Sequence, residues 1–215
     1  WATPLAADGP MCAGVPADRL DKVVGIMKAY SSCGGEGPFT CECFGEQADK
    51  LRALGGEYGA ATGRPRRVGG FDVVASRYGV RVQGATEIAL TKLDVLSGYG
   101  DIPACTHYEV DGGITDNFPS GGAPERAKPV YEYLPGFDGD ISGCRKFSDL
   151  PKAAQDYVEY CEQAVGCRIS YVSVGAGREQ IIARCLRAVP APVCAPEGGQ
   201  LYALRPAPTY LELTG

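Results

Sequence analysis

Three short stretches carry side chains suited to a charged ligand. The first runs Gly59-Ala60-Ala61-Thr62-Gly63-Arg64-Pro65-Arg66-Arg67. Small residues let a backbone approach a ligand closely. Three arginines within four positions bring together planar guanidinium forks that match carboxylate or phosphate oxygens. The second stretch is Thr91-Lys92-Leu93-Asp94. An aspartate in that frame can accept from both the N1–H and the 2-amino group of a guanine, donors that adenine cannot supply. The lysine stem can lie over the base while its ammonium stays wet. The third is Ser173-Val174-Gly175, where a hydroxyl and free backbone groups could meet the edge of a base. Each stretch taken alone also reads as a solvated loop.

The other chemistry-bearing residues read more simply. His107, the one histidine, lies in a strand-like run without an identifiable serine or cysteine partner, so it is given no catalytic role. Asp138-Gly139-Asp140 reads as a turn. Ten cysteines stand at 12, 33, 41, 43, 105, 144, 161, 167, 185 and 194, and the only close pair is Cys41-Glu42-Cys43. There is no CxxC spacing and the histidine is remote, so no zinc site is expected. The cysteines read as reduced apolar fillers of a cytoplasmic protein, with Cys41 and Cys43 as surface thiols near a helix start. The opening Trp1-Ala2-Thr3-Pro4 has neither the basic nor the apolar region of a secretory signal.

Composition narrows the ligand class. The chain has 215 residues, is 45% hydrophobic and 22% charged, and carries a formal charge of −5. Its mean hydropathy is −0.11 and its pI about 5.0. That is too apolar for disorder, and no apolar run approaches the ~18–20 residues that span a bilayer. An acidic chain is a poor general binder of nucleic acid or anionic membranes, so a phosphate site here must be a local cluster of cations. Thirty glycines and sixteen prolines predict abundant loops.

These stretches need elements to position them. Residues 17–31 suit a helix or a buried strand equally well. The spacing of Ala48, Leu51 and Leu54 predicts a helix over Glu46 to Leu54, stopped by Gly55-Gly56. Asp72 to Val82 repeats that pattern. Thr86 to Thr91 reads as a short apolar strand ending at the Lys92 turn. Cys105 to Val110 and Ile114 to Phe118 flank Asp111-Gly112-Gly113 as a hairpin. Val130 to Leu134 alternates as a strand. A second helix is expected to open at Ser148-Asp149 with Pro151 in its first turn, burying Ala154, Tyr157, Val158, Cys161 and Val165 before Gly166 closes it. The strand Ile169 to Val174 then empties into Gly175-Ala176-Gly177. Strands alternating with helices, with glycine-rich turns between, indicate an α/β fold with an antiparallel excursion. Beyond Cys185, prolines at 190, 192, 196, 206 and 208 leave no periodic face.

Read in order, KAYSS…GEGPF, GEYGAATGRPRRVGGFD, ALTKLDVLSG, YEVDG, ERAKPVYEYLPG, LPKAAQDYVEYCE and ISYVSVGAGREQ resemble adenylosuccinate synthetase, the GTP-dependent ligase of IMP and L-aspartate. The resemblance covers the C-terminal half of that family's length. It implies an α/β fold, part of a P-loop-NTPase-like mixed sheet with flanking helices and an antiparallel hairpin excursion. It implies a family portion over residues 1–184 and a Pro-rich tail outside it over 185–215. By the same resemblance, Ala60, Ala61, Thr62, Gly63, Arg64, Pro65 and Arg66 form the loop that closes over aspartate. Arg64 also contacts IMP, Arg66 reaches GTP, Lys92, Leu93 and Asp94 bind guanine, and Ser173, Val174 and Gly175 make a second guanine contact. GTP would be a co-substrate. Magnesium serves the full-length family, and its ligands, like the phosphate loop and the catalytic acid–base pair, belong to the half that is not matched. Family members are cytoplasmic homodimers, with no nucleic acid or membrane partner.

Several positions depart from the family pattern. Cys33-Gly34 stands for a usual Arg-Val, Thr40-Cys41-Glu42-Cys43 for Pro-Thr-Glu-Leu, Ala61 for a threonine, and Gly70 for a tryptophan. Losing a buried tryptophan would cost about 3–5 kcal/mol. The expectation is a ligase portion inactive by itself; the alternative is a non-catalytic guanine-nucleotide-binding fragment or a decayed remnant. An α/β sheet cut in mid-domain is also expected to expose strand edges and apolar faces, giving aggregation or a loose dimer.

Overall fold

Helices form where small and apolar residues recur every three or four positions, and glycines stop them. A computed structural model describes residues 5–119 and 121–184. The proline-bearing stretch 185–215 lies outside the described residues. Helix α1 is a single turn, Asp8–Cys12. Helix α2, Gly45–Gly55, buries Ala48 and Leu51 and ends at Gly56, whose φ of 58° is left-handed and favours glycine. Helix α3, Val73–Gln83, is capped by Asp72, whose Oδ1 accepts from the Ala75 amide at 2.9 Å. Helix α4, Lys152–Val165, buries Ala154, Tyr157, Val158, Cys161 and Val165, as its pattern predicts. It opens later than expected. Phe147–Asp149 is a separate 3₁₀ turn, and Leu150 leaves it with an extended ψ of 148°. The cause is Pro151, which disfavours the helical region for the residue before it.

The strands are β1 (Val24–Lys28), β2 (Ser31–Cys33), β3 (Arg67–Gly69), β4 (Phe71–Asp72), β5 (Glu87–Thr91), β6 (Ile102–Val110), β7 (Gly113–Thr115), β8 (Lys128–Leu134), β9 (Ile169–Ser173) and β10 (Ile181–Ala183). The segment that suited helix and strand equally thus becomes β1, because β5 offers it a ladder from Val24 opposite Glu87 to Lys28 opposite Thr91. The main sheet runs β1-β5-β9-β10, with the first three strands parallel and β10 antiparallel. A second sheet centres on β6, which pairs β4 in parallel and β7 and β8 antiparallel. The expected hairpin is present with a two-residue turn. Asp111 at φ 51° and Gly112 at φ 85° both take the left-handed form that such turns need. Its second strand stops at Thr115, short of the expected Phe118. Strands β2 and β3 form a separate antiparallel ribbon.

Helix α3 packs against α4 and against β1. Ile88, Leu90, Ile169, Val172 and Ile182 of the main sheet join Tyr157 and Val158 of α4 in one buried core. Among the described residues the other face of this sheet is partly exposed. Register places Ile26, Ala89 and Tyr171 on it side by side, and Ile26 is 80% exposed. Parallel sheets are ordinarily covered on both faces. Among the described residues no helix is long and apolar enough to cross a membrane.

Two expectations need correction. Cys41 is not a surface thiol: it is fully buried, and its Sγ donates to the Gly70 carbonyl at 3.5 Å. A Cβ at Gly69 would lie 1.9 Å from the Cys41 carbonyl oxygen, so the missing side chain lets the segment approach β3 this closely. Cys43 is half-buried. Nor does Gly70 sit in a space left by a lost aromatic. A Cβ there would lie 2.4 Å from the Pro103 carbonyl oxygen, so β6 backbone occupies the position. The eight described cysteines are free thiols.

Candidate functional site

The tips of two neighbouring parallel strands, β5 and β9, gather the Lys92–Asp94 and Ser173–Gly175 stretches, and the tip of β1 stands beside them. Lys28 ends β1 opposite Thr91, the last residue of β5. Past Thr91 the chain reverses at Lys92, whose φ of 60° is left-handed, and enters a 3₁₀ turn over Leu93–Leu96. Burial of Leu93, Val95 and Leu96 anchors this turn to the core. Leu93 can therefore offer a ligand only its backbone. Asp94 remains half-buried, and its Oδ1 is a buried acceptor with no hydrogen-bond partner among the described residues. Burial pushes its carboxyl above the usual range, against its own backbone N–H and the Lys92 ammonium. A buried acceptor without a donor is costly unless something outside the chain supplies one.

One strand over, β9 pairs Val172 with Leu90 and ends at Ser173. The Ser173 hydroxyl donates to the Gly175 carbonyl at 2.8 Å, and the Val174 amide donates to the Gln180 carbonyl at 2.9 Å. Val174 is fully buried, so like Leu93 it presents backbone alone. The Gln180 side chain lies over Gly175, where a Cβ would sit 2.3 Å from Oε1. Ligands of open α/β sheets lie outside the carboxyl ends of the strands, the edge where all three groups stand.

The arginine stretch folds as a closed loop. Its ends are tied by the Arg66 amide to the Glu57 carbonyl at 2.9 Å and by the Gly59 amide to the Arg64 carbonyl at 2.8 Å. Ala61, Thr62, Gly63, Arg64 and Pro65 are exposed at its tip, with Ala60. The three arginines do not act as one cluster. Arg64 is exposed, Arg66 turns inward, and Arg67 turns to the other side of its strand. There Arg67 donates Nε and Nη2 to Glu42 Oε2 at 2.8 and 2.6 Å, and Nη1 to the Gly37 carbonyl at 2.7 Å. Arg66 lies just before β3 and Arg67 opens it, and the two side chains reach different carboxylates, Glu57 and Glu42. Arg67 also lines a cleft of about 400 Å³ with Phe39, Thr40 and Glu125, away from the predicted site residues.

Glu57, which lies in the GEYGAATGRPRR stretch but is given no role there, joins these pieces. Its side chain is fully buried. Oε1 accepts from Tyr30 Oη at 2.6 Å, Lys28 Nζ at 2.8 Å and Lys92 Nζ at 2.9 Å; Oε2 accepts from Arg66 Nη1 at 3.2 Å. Burial raises the carboxyl, but the donors from Lys28, Tyr30 and Lys92 outweigh it and hold the group at about 2. Burial and the same bond push the Tyr30 phenol well up. Gly55 makes room for this knot, since a Cβ there would lie 2.4 Å from Tyr30 Oη. Lys28, Arg66 and Lys92 are each partly exposed, with 26–39% of the side chain open to solvent. They bring three positive charges to one negative one.

The residues set aside in the sequence stay apart. His107 is exposed and its Nδ1 lies 3.0 Å from Thr106 Oγ1. Asp140 accepts from the Ser142 amide at 2.8 Å, which makes a turn. Among the described residues no group of three or more His, Cys, Asp or Glu side chains could hold a metal ion.

Known proteins resemble this chain over most of its length. The family model for adenylosuccinate synthetase matches residues 1–182. Adenylosuccinate synthetase of Bifidobacterium adolescentis is 49% identical over 182 residues, 84% of this chain and 42% of its own length. That of Kineococcus radiotolerans is 49% identical over 173 residues, 80% of this chain and 40% of its own. The chain thus spans about two fifths of the length of the relatives it matches. A fully ligated adenylosuccinate synthetase from Plasmodium falciparum superposes with a TM-score of 0.79 at 33% identity, over 84% of this chain and 44% of that one. By sequence and by fold, the chain belongs to the adenylosuccinate synthetase family.

Proposed function

We propose that this chain carries the guanine- and aspartate-binding side of a GTP-dependent ligase that joins IMP and L-aspartate into adenylosuccinate. In that reaction GTP transfers its γ-phosphoryl group to O6 of IMP. The aspartate amine then attacks C6, the C6–O bond breaks, and adenylosuccinate, GDP and phosphate result. The Asp94 carboxylate would accept from guanine N1–H and the 2-amino group, and Lys92 would lie along the base. The backbone of Leu93 and Ser173–Gly175 would close on the base edge. The loop Ala60–Arg66 would fold over the two carboxylates of aspartate, with Arg64 reaching IMP as well and Arg66 reaching the GTP side.

One observation carries this reading: the buried, donor-free Oδ1 of Asp94 stands beside Lys92, and Lys92 shares a carboxylate with Arg66. The phosphate-handling residues would come from outside this sequence, which holds no glycine-rich phosphate loop with its lysine. Magnesium, a homodimer and a cytoplasmic setting accompany this reading, and no step here is routed through the metal.

Calorimetry with GDP, GTP and ATP tests it. Guanine-selective heat that weakens in Asp94→Asn is the expected result. Equal binding of guanine and adenine nucleotides, or none, overturns it. Turnover on mixing with a separately produced N-terminal portion of a relative would extend the reading from binding to catalysis.

A further inference from the structure

The four donors on Glu57 come from three parts of the chain. Lys28 and Tyr30 stand at and just past the tip of β1, Lys92 in the turn after β5, and Arg66 in the returning arm of the arginine loop. One carboxylate cannot neutralise three cations, and like charges this close repel unless it lies between them. Lys92 Nζ bonds only to Gly55 and Glu57 among the hydrogen bonds described, and reaches no residue of 58–66. Arg66 Nη1 meets the same carboxylate through its other oxygen. Glu57 is thus the body between the turn and the loop, and it has no surface of its own to offer a ligand.

We propose that Glu57 is a positioning residue through which the Lys92–Asp94 turn and the arginine loop hold each other in place. Its functional meaning, coupling of a guanine site to an aspartate site, rests on the reading above; the coupling itself is a property of this chain alone. If the loop were independent, its order would depend on its internal bonds between Gly59, Gly63 and Arg64, and changes at Lys92 would not reach it.

The test is a mutant cycle on the whole chain: wild type, Lys92→Met, Glu57→Gln and the double variant, followed by amide hydrogen exchange. Lys92→Met is expected to speed exchange across 58–66 about tenfold, the scale of one charge-assisted bond. Glu57→Gln should do at least as much, and the double variant no more than Glu57→Gln. Additive effects, or a loop indifferent to Lys92→Met, overturn the proposal. Unchanged protection in α4 controls for folding, and Lys92 is exposed enough for its variant to stand alone should Glu57→Gln not fold. The ¹⁵N resonance of the Lys28 ammonium gives a readout that simple loosening would not move. It should shift in Glu57→Gln and hold in Lys92→Met; a shift in neither variant counts against the role. Adding GDP separates the two readings: a wild-type chain that ignores GDP refutes the guanine site, while the cycle without ligand still decides the coupling.

Discussion

Tyr108 Oη donates to Asp72 Oδ2 at 2.6 Å, and the other oxygen of that carboxylate caps α3 through the Ala75 amide. One buried carboxylate therefore ties the central strand of the second sheet to the helix that backs the first. Tyr108→Phe leaves Oδ2 buried without that donor. It should cost about 1.5–3 kcal/mol, the range for a hydrogen bond to a charged group, read from urea unfolding.

Glu57 predicts an acid transition. Its folded value of about 2 lies below its ordinary 4.5. Between those values the unfolded chain binds the extra proton, so the stabilisation is complete above about pH 4.5 and is lost as pH falls toward 2. The difference amounts to about 3 kcal/mol. Urea midpoints between pH 3 and 6 should fall with acid in the wild type and stay flatter in Glu57→Gln.

Gly70→Ala should destabilise. The new Cβ would meet the Pro103 carbonyl oxygen at 2.4 Å, and backbone cannot swing aside as a side chain can. Overpacking of this kind costs about 1–3 kcal/mol, visible as a lower Tm. A neutral result would mean that β6 shifts away from β4.

Arg184 lies two residues past the end of the family match, yet its side chain is only 3% exposed. It pairs with Glu162, donates to the Ile169 carbonyl at 2.9 Å and lies 4.4 Å from the Phe147 ring. Arg184→Ala removes the cation from Glu162 and leaves its Oε2 with the Ile169 amide, at 2.8 Å, as described donor. Breaking such a pair costs about 3–5 kcal/mol, which chemical denaturation would register. Hydrogen exchange should place the first loosening in β10.

Ile26 predicts self-association. It stands on the free edge strand β1, 80% exposed, on the same face as Tyr171 and Ile181. Exposed apolar edges template pairing with other chains, and a lysine there blocks it. Sizing chromatography should show concentration-dependent association in the wild type and less of it in Ile26→Lys.

Local pattern was enough for much of this molecule. The buried face of α4, the glycines that end α2 and α4, the Asp111-Gly112 turn and the strand before Lys92 follow from periods of 3.6 or 2 and from residues with special backbone freedom, whereas Leu54 and Tyr78, expected on the inner faces of α2 and α3, are exposed. The Lys92–Asp94 and Ser173–Gly175 stretches were legible for the same reason, since each is contiguous. Partnership across the chain was not. Glu57 meets Lys28, Tyr30 and Lys92 at separations of 29, 27 and 35 residues, and nothing within a window of sequence marks a glutamate for that place. The three arginines looked alike until the fold paired Arg66 with Glu57 and Arg67 with Glu42. Cys41 seemed a surface thiol until the fold buried it beside Gly69. Periodicity reports which way a residue faces relative to its own element; only packing decides what stands opposite.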